Sequence, residues 1–138
     1  MGIPATISDL TLEGLNRALD GTQAQMAATA RNIANADTPG YIPTHVQFGE
    51  QLAAALQRAH KAARSRAYDA RGQTALERLR PLEVREQTTP MKRDQNGVDI
   101  EREITDLARV SLQNRAILRL LGRKLAMLQT AIAQGGGR

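Results

Sequence analysis

The 138-residue chain predicts an all-α fold, with long N- and C-terminal helices pairing as a coiled-coil-like bundle around an irregular, partly extended or disordered middle segment. Three observations lead there. The aromatic fraction is 2%, from Phe48, Tyr41 and Tyr68 alone, so the 41% of hydrophobic residues is carried mainly by Leu, Ile, Ala and Met. These side chains suit helices, and a core without aromatic bulk favours helix packed on helix. Near both ends, apolar residues recur in alternating steps of three and four, the spacing of a coiled-coil seam. Between these stretches the periodicity fades.

The first periodic stretch runs from about 8 to 35, with its seam at Leu12, Leu15, Leu19, Thr22, Met26, Thr29 and Ile33. Ser8, or Thr6 with Asp9 three residues on, suits an N-cap. Asn35-Ala36-Asp37-Thr38-Pro39-Gly40 ends the helix, because Pro39 disfavours helical geometry at Thr38. Pro39-Gly40 fits the centre of a type II turn with Gly40 at positive φ. Gly14, Gly21 and Ala28 form a seven-residue stripe beside the seam. A helical glycine costs roughly 1 kcal/mol relative to alanine. The stripe therefore predicts either close packing against a neighbouring subunit or a helix kept pliable. In both cases Gly21→Ala is expected to be tolerated.

The middle is less regular. A short helix is expected over about 48–66 around Leu52 to Leu56, followed by loops or short extended pieces through 72–97, marked by Pro81, Pro90 and Asn96-Gly97. The net charge of +5 is concentrated in 50–93. The expected division is a discontinuous helical core domain, 1–48 and 94–138, and a variable basic middle, 49–93.

The second long helix is expected over about 98–133, some 50 Å at ~1.5 Å per residue. Its seam reads Ile100, Ile104, Leu107, Ser111, Asn114, Leu118, Leu121, Leu125, Leu128 and Ile132. Acids come early (Asp99, Glu101, Glu103, Asp106) and bases late (Arg115, Arg119, Arg123, Lys124), as the helix dipole favours. Ser111 and Asn114 are polar at seam positions, which marks either a register device or a stretch facing solvent. Ile117, Leu120 and Met127 add apolar surface off the seam. A helix apolar on several sides wants several partners, and the rest of the chain offers too little core. Partners in an assembly would supply it.

Catalytic, cofactor and metal sites are not expected. There is no cysteine, hence no thiolate chemistry. His45 and His60 stand apart and form no helical metal pair. Phosphate-cradling glycine motifs are missing, and Ser8, Ser65 and Ser111 lack a nucleophile-elbow context. Arg58, Lys61, Arg64, Arg66 and Arg71 could face phosphates, making a nucleic-acid- or protein-binding helical module the alternative. Tyr68 alone, however, makes no stacking platform, and no nucleic-acid partner is expected. No apolar window reaches the ~18 residues of a membrane span. The opening MGIPATISDL has no signal-peptide features, so any export is expected without cleavage.

One block is more specific than these patterns. Ala30-Arg31-Asn32-Ile33-Ala34-Asn35-Ala36-Asp37-Thr38-Pro39-Gly40-Tyr41, with Phe48 seven residues on, resembles the N-terminal signature of the flagellar rod, hook and hook-associated proteins. Asn96-Gly97-Val98-Asp99-Ile100-Glu101-Arg102-Glu103 is similar to the segment that opens their C-terminal helix, in the short proximal-rod members above all. The chain departs from that pattern at Ile42-Pro43-Thr44 and at Ile104. The resemblance implies a structural subunit that is exported unfolded by the flagellar type III apparatus. In the periplasmic part of the basal body it would polymerise into the torque-transmitting axial tube. Its implied partners are other copies, the other rod proteins, the adapter at the ring and the export apparatus. Asn32, Asn35, Asp37, Thr38, Pro39, Gly40 and Tyr41 then carry the signature turn, and the terminal helices form the axial core.

Overall fold

The computed structural model describes residues 5–64, 76, 78–85 and 97–135, with the backbone alone at 5–9, 63–64 and 135. In chain order the elements are α1 (Ala5–Ala34), β1 (Thr44–Gln47), α2 (Gly49–Arg64), β2 (Leu82–Arg85) and α3 (Ile100–Gly135). The described chain is mostly helical, with long helices at both ends and a small two-stranded sheet between them. Helix α1 starts at Ala5, so Thr6, Ser8 and Asp9 lie within its first turns and do not precede it as caps.

Helix α1 is the central element, covered on two sides. On one side lies α3, running antiparallel. The start of α3 abuts the end of α1, where a Cβ on Gly97 would sit 3.3 Å from the Tyr41 carbonyl and 3.2 Å from Pro43. Further along, Asn114 donates to the Thr22 hydroxyl at 2.9 Å, and Thr22 in turn donates to the Leu19 carbonyl. Thr22 is buried, so each polar group in this apolar layer has a partner. Asn114 thus bonds across the helix pair and does not face solvent alone.

The face of α3 turned toward α1 runs through Glu103, Leu107, Val110, Asn114, Ile117, Leu121, Lys124 and Leu128, all buried or half-buried. Its steps of four and three match the expected seam, but the phase is corrected at alternate positions, one residue earlier. Leu107, Asn114, Leu121 and Leu128 are shared. Ile100, Ile104, Leu118, Leu125 and Ile132 are exposed. The apolar stripe of α3 is wider than a single partner helix can cover, and α1 takes one edge of it. On α1, Leu12, Leu15, Leu19, Met26 and Ile33 are half-buried.

On its other side α1 meets α2 and the sheet. Leu10, Ala55, Ala59 and Leu76 form one buried cluster, flanked by Leu52, Leu56 and Leu79. Ala28, Val46 and Phe48 form a second, which shares Leu52 and Leu79. Strand β1 places Val46 inward and Gln47 outward, the period-two alternation of a half-buried strand. It pairs antiparallel with β2, Thr44 opposite Arg85 and Gln47 opposite Leu82. Residues 49–64, Leu76 and Leu79, expected in the variable middle, thus pack into the same core as α1.

The Gly14–Gly21–Ala28 stripe is closely packed, but its partner is the chain itself, not a neighbouring subunit. A Cβ on Gly14 would lie 2.8 Å from Leu56, and one on Gly21 would lie 2.1 Å from the Phe48 ring. Phe48 is 4% exposed, so the ring has nowhere to swing. This reverses the expectation for Gly21→Ala. Alanine gains roughly 1 kcal/mol in helix propensity, but overpacking a full core costs about 1–3 kcal/mol. We expect Gly21→Ala to lower the urea midpoint, read by circular dichroism, and Gly21→Ala with Phe48→Leu to recover much of the loss. An unchanged midpoint in the single variant would contradict this packing.

Candidate functional site

The signature residues converge on one buried side chain at the last turn of α1. Asn32 is fully buried. Its Oδ1 accepts the Thr44 backbone N–H at 3.0 Å and the Tyr41 hydroxyl at 3.1 Å. Its Nδ2 donates to the Thr44 carbonyl at 2.9 Å. One carboxamide thus bonds both main-chain groups of Thr44, as a neighbouring strand would. Seven residues earlier on α1, Gln25 donates to the Val46 carbonyl at 3.4 Å. Two amides of α1 therefore hold alternate carbonyls of β1. Gln25 was not foreseen, although its seven-residue offset from Asn32 was visible.

The chain between Asn32 and Tyr41 ends the helix and turns back. The Asn35 N–H reaches the Arg31 and Asn32 carbonyls, the Ala36 N–H reaches Ile33, and the Asn35 side chain donates to the Arg31 carbonyl at 2.8 Å. Carbonyls left open at a helix end are satisfied in this way. Thr38 donates from its backbone to the Asn35 carbonyl and from its hydroxyl to Asn35 Oδ1. Gly40 has φ 73°, and the Tyr41 N–H bonds the Thr38 carbonyl at 3.2 Å. Pro39-Gly40 accordingly occupy the centre of a type II turn, which returns the Tyr41 hydroxyl to Asn32. Asp37, Thr38, Pro39 and Gly40 are exposed at the tip. Beside the turn, Arg31 and Glu83 form a 2.6 Å ion pair from α1 to β2. The hydrogen bond to Glu83, then its charge, raise the pKa of Arg31.

The start of α3 packs against this turn. Asp99 caps it, its Oδ1 accepting the Arg102 N–H at 3.3 Å. Val98 is buried ahead of the cap. Glu103, read from the sequence as one of the early acids favoured by the dipole, is 3% exposed, and its Oε2 has no hydrogen-bond partner. It sits one residue before Ile104 in the corrected phase of the seam, which is why it faces inward. The Thr44 hydroxyl is also buried without a partner.

The other candidates are scattered. His45 is half-buried on β1, while His60, Arg58 and Lys61 are exposed on α2. The Arg64 side chain, and Arg66, Tyr68 and Arg71 entirely, fall outside the described residues. Among the described residues, no three His, Asp or Glu side chains are grouped to hold a metal ion. No described helix is long and apolar enough to cross a membrane.

A family model described as flagella basal body rod protein matches residues 14–41, from the middle of α1 through the turn to Tyr41. The match supports a place in that family, which is one of structural subunits and not of enzymes. No curated protein matches the chain.

Two substitutions test the geometry of the turn. Asn32→Ala removes three hydrogen bonds and leaves the Thr44 N–H and carbonyl without that partner; buried groups left unsatisfied cost about 1–3 kcal/mol each. A loss of at least about 2 kcal/mol is expected from urea unfolding, with Tyr41→Phe losing no more than about half as much. Gly40→Ala meets no atom within 4 Å, so its cost is conformational alone, about 1–2 kcal/mol. Equal stability of Gly40→Ala and the parent would argue against the positive-φ turn.

Proposed function

We propose that the chain is a structural subunit of the bacterial flagellar basal-body rod. More narrowly, it belongs to the proximal rod, closest in its signature to the proximal rod protein FlgB. The observation that carries this reading is the Asn32 turn: Asn32 and Tyr41, both inside the stretch matched by the rod family, are hydrogen-bonded to each other, and Asn32 also holds Thr44 just beyond it. The long antiparallel pair of α1 and α3 supports it, because α3 keeps apolar residues, among them Ile104, Leu118, Leu125 and Ile132, that the described chain leaves exposed.

In this reading 1–48 and 94–138 form the axial part and 49–93 is the variable middle, of which 49–64, Leu76 and Leu79 pack on α1. The subunit polymerises with other copies and other rod proteins and meets the adapter at the ring. It reaches the periplasm through the flagellar export apparatus without signal cleavage. Its task is mechanical. A rod transmits torque if its subunits do not slide, and hydrogen bonds at fixed register between helices resist sliding better than apolar contact alone. Deleting the gene in its own bacterium should abolish swimming, and a tagged copy should restore it and copurify with isolated basal bodies. Normal swimming after deletion, or a tagged protein that never enters basal bodies, would overturn the reading.

A further inference from the structure

Among the described residues, the two buried clusters of the core draw on α1, α2, β1, Phe48, Leu76 and Leu79, and on nothing from α3. Helix α3 is held on α1 by a row that is mostly half-buried, with Val110 its fully buried apolar side chain. Half-burial returns only part of the transfer free energy of each apolar side chain. The other fully buried member of the row is Glu103, whose Oε2 accepts no hydrogen bond. No described residue forms an ion pair with it.

The register of the helix pair shows why a partner is missing. Glu103 precedes Asn114 by eleven residues, and Asn114 is bonded to Thr22. At about 1.5 Å per residue on both helices, Glu103 lies at the height of Asn32 and Ile33 on α1. There the Tyr41 hydroxyl and the Thr44 N–H both donate to Asn32 Oδ1, and Asn32 Nδ2 donates to the Thr44 carbonyl. The turn spends these donors on itself. The Thr44 hydroxyl is also buried without a partner, so the two unpaired groups at this end do not meet. A carboxylate buried in this way costs free energy that its return to water recovers. The dipole at the start of α3 offsets part of that cost, but Glu101, exposed in the same turn, gains the same interaction without burial.

We propose that Glu103 is a built-in point of weakness, which lets α3 separate from α1 as a unit while α1, α2 and the sheet stay folded. The carboxylate penalises only the closed pair. Once α3 is released it is hydrated, so the gap between closed and open states narrows. Separation of α3 leaves both buried clusters intact, the condition for an opening below the free energy of global unfolding. The inference rests on the rod reading and adds how such a subunit is made ready for export: unfolding starts at α3, and Glu103 sets how readily it starts.

Hydrogen exchange read by mass spectrometry on the full chain tests this. Amides of 107–128 should exchange about tenfold or more faster than those around Ala55 and Ala59. Glu103→Leu should slow exchange in α3 by about tenfold and leave α2 unchanged, with Glu103→Gln changing it in the same direction by less. Glu101→Gln makes the same charge change at an exposed position of that turn and should exchange as the parent does. A single common rate for α3 and α2 overturns the proposal. So do Glu103 variants that exchange as fast as the parent or faster, or a Glu101→Gln chain slowed as much as Glu103→Gln. In its own bacterium, Glu103→Leu should reach the periplasm several-fold less than the parent at equal expression. Equal delivery sinks this inference and leaves the rod reading standing. A parent chain that never enters basal bodies sinks the rod reading itself.

Discussion

Burying the carboxamide of Asn32 is tolerable only because three hydrogen bonds replace the water it loses. That requirement reaches in both directions along the chain. The Tyr41 hydroxyl must return to the helix it has just left, which needs a reversal at Thr38–Tyr41 and hence a residue at ease with positive φ at position 40. Thr44 must lie alongside α1 with its main chain turned toward the helix, which starts β1 in a fixed place. Strand β1 then delivers Val46 and Phe48 to the core. A change in the amide would disturb helix end, turn and strand together.

The second constraint is distance. Phe48 is the one phenylalanine in the chain, and its ring lies where a side chain on Gly21 would otherwise be. Removing the side chains at Gly14 and Gly21 lets α2 and the ring approach the α1 backbone closely. The helix gives up some intrinsic stability at two positions and gains a close contact with Leu56 and Phe48 there.

Local signals made much of this legible beforehand. Pro39 and Gly40 act on their own backbone, so the end of α1 and its turn type could be read directly. Heptad spacing fixed the existence and approximate extent of α1 and α3. Phase was another matter: spacing says that a helix has an apolar stripe, but not which edge of a wide stripe the partner takes. Ile104 and Leu118 were therefore expected inside while Glu103 and Val110 are the buried residues. Strand β1 was missed because four residues carry little pattern and its partner lies near position 84, far along the chain. The glycine stripe was noticed, but no local signal could reveal that Phe48 and Leu56 would fill it.

The hydrogen bond between Asn114 and Thr22 closes a loop of 92 positions. The entropy of closing a flexible loop grows only with the logarithm of its length, so doubling that length costs about 0.6 kcal/mol. By closure entropy alone, insertions between the end of α2 and the buried Leu76 would barely loosen the helix pair, whereas a one-residue insertion within either helix would rotate its buried face by about 100°. Length is thus constrained far more tightly within the two long helices than between α2 and Leu76, an asymmetry that lets the chain diversify there while the helix pair stays in register.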